Sequence, residues 1–164
     1  MAQHAITGLL GVDIDAVHSS QVFARGTRVC AVEDTTNSYA ADYIYVSADE
    51  ALAQYAAVKV DDDFDCSELT TAISGAEPTR VAVPQIAFAD TELGWAVCGC
   101  GTFDVLAAAS CAADVKVGTT TTAGVIDDSY TDIIQGLKLS AANGGSQAAT
   151  AAYAAQDMVT NSQD

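Results

Sequence analysis

Positive charge is what this 164-residue chain most lacks: six Lys and Arg stand against 22 Asp and Glu, a formal net charge of -16. Nucleic acid and anionic membranes are polyanions that select Lys and Arg, so direct binding to either is not expected. An acidic, solvent-facing surface that keeps a crowded assembly soluble is expected instead. Aromatic residues are scarce, at 7%, and much of the apolar half of the chain is Ala. Such a core is thin or shared with a neighbouring subunit. With only two Pro, no Pro-rich linker divides the chain, and its length fits one domain. Long apolar runs are missing too. Met1 to Asp15 holds Ile6, Leu9 and Leu10 but no Lys or Arg, too little for a signal sequence or a membrane span, so no targeting segment is expected. The five Cys are odd in number and scattered, which suits a reduced cytosolic origin better than a disulfide framework.

What is present is strand patterning. Val81 to Leu106 carries the only Trp and reads as a β-hairpin. Ile86 and Phe88 alternate, Asp90-Thr91-Glu92 turns the chain, and alternation resumes from Trp95 through Val97, Gly99, Gly101 and Phe103 to Val105. Apolar parity changes across Pro84, which predicts a bulge or an edge position there. Gly99 and Gly101 stand where large side chains are expected, so close approach by another backbone or ring is predicted. Upstream, Val22 to Val32 alternates as a strand or strand pair with Arg28 on its wet face. Asp34 to Ser38 is a turn cluster, and Tyr43-Ile44-Tyr45-Val46 is a strand. Leu52 to Val60 is ambiguous and is read as strand. Asp61 to Asp65 reads as an acidic loop, and Cys66 to Ile73 as a helical turn or loop. Downstream, strands are expected at 115–117, 119–122 and 124–126. Another, with Ile133, Gln135, Leu137 and Leu139 on one face, ends at the flexible Asn143-Gly144-Gly145. The Ala-rich tail 148–158 favours helix by propensity, yet it lacks a cap and a clear apolar stripe. Residues 1 to about 20, broken by Gly8 and Gly11, read as an extended arm. Its Ile6, Leu9, Leu10, Val12 and Ile14 have too little periodicity to be buried within their own fold and are expected to contact a partner.

Chemistry-bearing motifs are weak. Cys98 and Cys100 fall on one face of a strand and are near enough in principle to share a metal, but two further ligands are missing nearby, so small buried thiols are the preferred reading. His4 and His18 sit in the arm, not near Cys98 and Cys100 in sequence, so a Cys nucleophile with a positioned His is not expected. The run Asp61-Asp62-Asp63-Phe64-Asp65 lacks the Gly and terminal Glu of a calcium loop and reads as solvated, and Asp127-Asp128 reads as a turn. Trp95, Phe88, Tyr43 and Tyr45 are read as core; the competing reading is a glycan-stacking patch. No catalytic or metal-ligating residue is assigned, and no cofactor is expected.

One resemblance runs through these segments. Ile86 to Asp90, Gly94-Trp95, Ala109 to Val115, Thr119 to Asp128 and Ala141 to Gly145 resemble the small capsid decoration (cement) proteins of tailed bacteriophages. Arg25 to Val29 and Tyr43 to Val46 extend the likeness over most of the chain apart from its ends. The resemblance implies a non-enzymatic all-β protein, a homotrimer on the outer capsid surface of the virion that binds the major capsid protein after synthesis in the host cytoplasm. It also implies an extended or strand-like Ala-rich tail, against propensity. The expectation is therefore an all-β, single-domain β-sandwich or β-barrel of short antiparallel strands, with an extended arm at 1–20 and a β domain at 21–164. The alternative function is a tail- or fibre-associated module that recognises a host glycan.

Overall fold

A computed structural model describes residues 4–5, 12–32, 40–74 and 78–162. The chain runs through β1 (His4–Ala5), β2 (Arg28–Val32), β3 (Ala40–Ala48), β4 (Val58–Val60), β5 (Asp65–Glu68), one helical turn α1 (Thr71–Ser74) and β6 (Arg80–Pro84). It continues through β7 (Leu93–Gly99), β8 (Gly101–Ala107), β9 (Lys116–Thr119), β10 (Ile126–Asp127), β11 (Asp132–Leu139) and β12 (Ala148–Ser162). The expected all-β barrel architecture holds.

Backbone pairing closes two circuits of five strands. In the first, β3 pairs β7, β7 pairs β6, β6 pairs β4, β4 pairs β5, and β5 returns to β3 in parallel through Ser47 and Ala48. In the second, β8 pairs β12, then β11, β9 and β10 follow, and β10 returns to β8 in parallel at Ile126 and Ala107. Val159 of β12 pairs Arg80 of β6 and joins the two circuits. Closure leaves few open edges, which limits pairing with stray strands. Outside the first circuit, β2 lies along β3 and carries β1 on its far side.

Successive residues of β3, β6 and β7 serve different interiors. Tyr43, Tyr45, Val81, Val83, Trp95 and Val97 join the larger apolar cluster, which also fills the second circuit. Ile44, Val46, Ala82, Ala96 and Cys98 join a smaller cluster with Val58, Val60 and Cys66 inside the first. Side chains in a strand alternate faces, so a sheet covered on both sides produces unbroken apolar runs.

The central hairpin differs from its sequence reading. Its first strand is β6, ending at Pro84, and Phe88 makes only an isolated bridge to Leu52 in the connection that follows. Pro84 is neither at an edge nor in a bulge: β6 is flanked by β4 and β7, and the missing N–H falls at its last residue. The second strand breaks in two at Cys100, whose φ of 36° turns the chain from β7, in the first circuit, to β8, in the second. The predicted close approach at both glycines is present. A Cβ on Gly99 would sit 3.0 Å from the Asp157 nitrogen, and one on Gly101 would sit 2.6 Å from the Ala41 Cα.

Other elements are shorter than expected. Between Val22 and Val32 only Arg28–Val32 is strand, with Arg28 exposed as expected; between Leu52 and Val60 only Val58–Val60 is. Cys66 enters β5, and the helical turn starts at Thr71. The turn cluster 34–38 lies outside the described residues. In β11 a bulge between Gln135 and Leu137, with Gly136 at φ 87°, shifts the parity. It sends Ile134, Leu137 and Leu139 into the larger cluster and leaves Gln135 exposed.

The Ala-rich tail is a strand. Over 15 residues β12 pairs β8 on one side from Ala148 to Ala154 and β11 on the other from Ala152 to Ser162. Thr150, Ala152 and Ala154 point inward at a spacing of two, as do Met158 and Thr160 beyond the exposed Gln156. Small side chains let neighbouring elements approach closely, and the ladders satisfy the backbone.

Candidate functional site

The expected contact arm divides. Ile6, Leu9 and Leu10 lie outside the described residues. Val12 and Ile14 are 2% and 4% exposed and belong to the chain's own larger cluster. They are therefore not free to bind a partner. The segment that holds them crosses the sheet as a strap. His18 and Leu93 exchange backbone hydrogen bonds of 2.8 Å in both directions, Val17 packs on the smaller cluster and Phe23 on the larger. An arm ending at residue 20 is thus corrected from Val12 onward. Extended backbone can bury apolar residues without periodicity when a finished sheet already offers the surface.

Beneath the strap lies an aromatic group. Phe23 and Tyr45 each pack against Trp95, with centroids 5.2 and 5.1 Å away, and His18 stands edge-on to Phe23 and Tyr45. Trp95, Tyr43, Tyr45 and Phe88 are all buried. The core reading of these rings holds, and they are closed to a glycan.

The thiols regroup. Cys98 points into the smaller cluster, where the Arg28 guanidinium donates to its Sγ at 3.3 Å. Cys100 turns outward, with its thiol 3.7 Å from the Ala155 carbonyl. The pair does not share a face, because the left-handed turn at Cys100 separates them. Instead Cys30 of β2 and Cys100 both come under the charge of Asp42, which lies opposite Cys30 in the ladder. Burial, then the charge of Asp42, raises both thiols above their ordinary range. Burial pushes Cys98 up to about 11 and Cys66 further. These groups are protonated near neutral pH and are poor nucleophiles.

The acidic run at Asp61 is ordered by its own backbone. Asp61 Oδ1 accepts the N–H groups of Asp63 and Asp65 at 2.9 and 3.0 Å. An open groove of about 440 Å³ follows the bulge of β11, where Lys116 and Lys138 flank Ile133, Leu137 and the exposed ring of Tyr153. Lys138 is paired there with Asp114 at 2.6 Å.

Among the described residues one set of three metal-ligating side chains converges: Cys111, Asp127 and Asp128. The Ala112 N–H donates to Asp128 Oδ2 at 3.0 Å and holds that carboxyl below its ordinary range. Burial, then the Asp128 charge, pushes Cys111 up to about 11. Sequence reasoning missed this set and the Cys30–Asp42–Cys100 group because the members of each come from different elements. No local spacing signals either one.

Comparison with known protein families, with curated proteins and with solved structures finds no match to this chain.

Proposed function

We propose that this chain is a structural virion protein, a capsid decoration (cement) protein that binds the outside of a phage head as a homotrimer, contacts the major capsid protein and stabilises the shell. The observation that carries this reading is β12. The resemblance to decoration proteins requires an extended tail where alanine propensity favours helix, and the tail is a 15-residue strand. The acidic balance fits the same role, since like charge keeps densely arrayed subunits soluble. In this reading Ile6, Leu9 and Leu10 stay assigned to the shell contact, while Val12 and Ile14 leave it for the core. The glycan-binding alternative needs exposed rings at Trp95, Tyr43, Tyr45 or Phe88, and no observation favours it.

Purified heads depleted of the protein are expected to release their DNA at a lower temperature than complete heads, and re-addition of the protein restores the higher value. Depleted heads as heat-stable as complete ones overturn the reading.

A further inference from the structure

We propose that Cys111, Asp127 and Asp128 form a binding site for one divalent cation of borderline softness, with zinc the ion that fits best. One ligand atom from each residue lies within 4.8 Å of the other two, a span that a single ion bridges with small side-chain movements. Two properties separate this set from ordinary surface acids. Cys111 is 0% exposed, so a buried thiol stands beside two carboxylates. Neither carboxylate forms an ion pair with a described residue, so no cationic side chain among them occupies the set.

The surrounding backbone holds the set in place. Asp128 N–H donates to Asp127 Oδ1 at 2.8 Å, and Ala112 N–H donates to Asp128 Oδ2, so a backbone N–H orients each carboxylate. Asn143 fixes the loop that carries Cys111. Its backbone N–H donates to the Cys111 carbonyl at 2.9 Å and its side chain to the Ala107 and Ala108 carbonyls.

Ligand chemistry selects the ion. A thiolate disfavours calcium and magnesium, two carboxylates disfavour copper(I), and zinc, cobalt(II) or cadmium accept both donor types. Binding breaks the Cys111 S–H bond, forms a sulfur–metal bond and releases one proton to solvent, with no change of oxidation state. Asp128 is exposed and Asp127 half-buried, so water completes the coordination shell. The bound ion ties the loop after β8 to the end of β10 where the second circuit closes, and it stabilises the fold by linkage. The site stands independently of the capsid reading.

The test titrates the full chain, reduced and freed of metal, with cobalt(II). One cobalt per chain is expected, with the near-ultraviolet absorption of a thiolate–cobalt bond, displacement by zinc and a higher Tm. Cys111→Ser abolishes the band, Asp127→Asn weakens affinity by roughly 10–100-fold, and the double variant Cys30→Ser/Cys100→Ser leaves it intact. The proposal is overturned if excess cobalt gives no thiolate band, if the band survives Cys111→Ser, or if it depends on Cys30 and Cys100. Should Cys111→Ser fail to fold, Asp127→Asn and Asp128→Asn decide, and unchanged affinity in both overturns it.

Discussion

The two apolar clusters share three strands and are built from different residues. The larger takes the bulky faces of β3 and β7, with Tyr43, Tyr45 and Trp95, and adds Phe103, Ile134, Leu137 and Met158. The smaller takes the opposite faces, where β7 offers only Ala96 and Cys98, and its one buried ring is Phe88. The first circuit takes the small side chains of β7, and the larger ones are turned outward to a space shared with the strap and the second circuit. The difference teaches how register is fixed. Slipping β7 by one residue would drive Trp95 into the narrow interior and leave Ala96 in the wide one, a double packing fault that excludes the alternative.

The deepest break in this contrast comes from removing the strap. Deleting residues 1–15 takes Val12 and Ile14 out of the larger cluster, at a cost of roughly 3–6 kcal/mol from about 1.5–3 per buried side chain. For a domain of ordinary stability this is severe. A urea transition shifted by less than a tenth of that value would show the strap to be peripheral. Next, Trp95→Ala empties the largest buried side chain and is expected to cost about 3–5 kcal/mol by equilibrium denaturation. On the narrow side, Ala96→Leu overfills the interior at about 1–3 kcal/mol; an unchanged midpoint would mean that this circuit holds spare room.

A smaller effect sharpens the comparison through pH, because buried thiols occur in both clusters. Cys98 and Cys111 are each raised from 9.0 to about 11, chiefly by burial, and Cys66 is raised further. Above about pH 9 the unfolded chain releases thiol protons that the native chain keeps, so the unfolded state binds fewer protons and stability falls as pH rises through 11. Denaturation midpoints at pH 8 and pH 10.5 measure the loss. Cys98→Ala reduces the slope, and an unaltered slope in that variant assigns the loss to other groups.

Several of these features were legible before any fold was known. The alternation at Tyr43–Val46 and Trp95–Val97 identified strands and core rings, because a period of two is a property of the extended backbone itself. Gly99 and Gly101 marked close approach, since only a missing side chain makes room for a neighbouring backbone. Where the pattern misled, the cause was the second buried face. Alternation continued through Cys100, but the φ reversal there passes the chain from one circuit to the other and parts Cys98 from Cys100.

By itself, then, the sequence determined an acidic all-β chain, the aromatic side chains of its core and the places where backbones must touch, for these follow from composition, period and side-chain size. The tertiary structure supplied the pairing that makes the Ala-rich tail a strand, as the resemblance implies against propensity, and it alone decided that Val12 and Ile14 are buried from within the strap and that Cys111 meets Asp127 and Asp128. Alanine's helix preference amounts to only tenths of a kcal/mol per residue. Ladders on both sides of β12 and the burial of its inward face outweigh it, and they exist only once segments distant in sequence have come together.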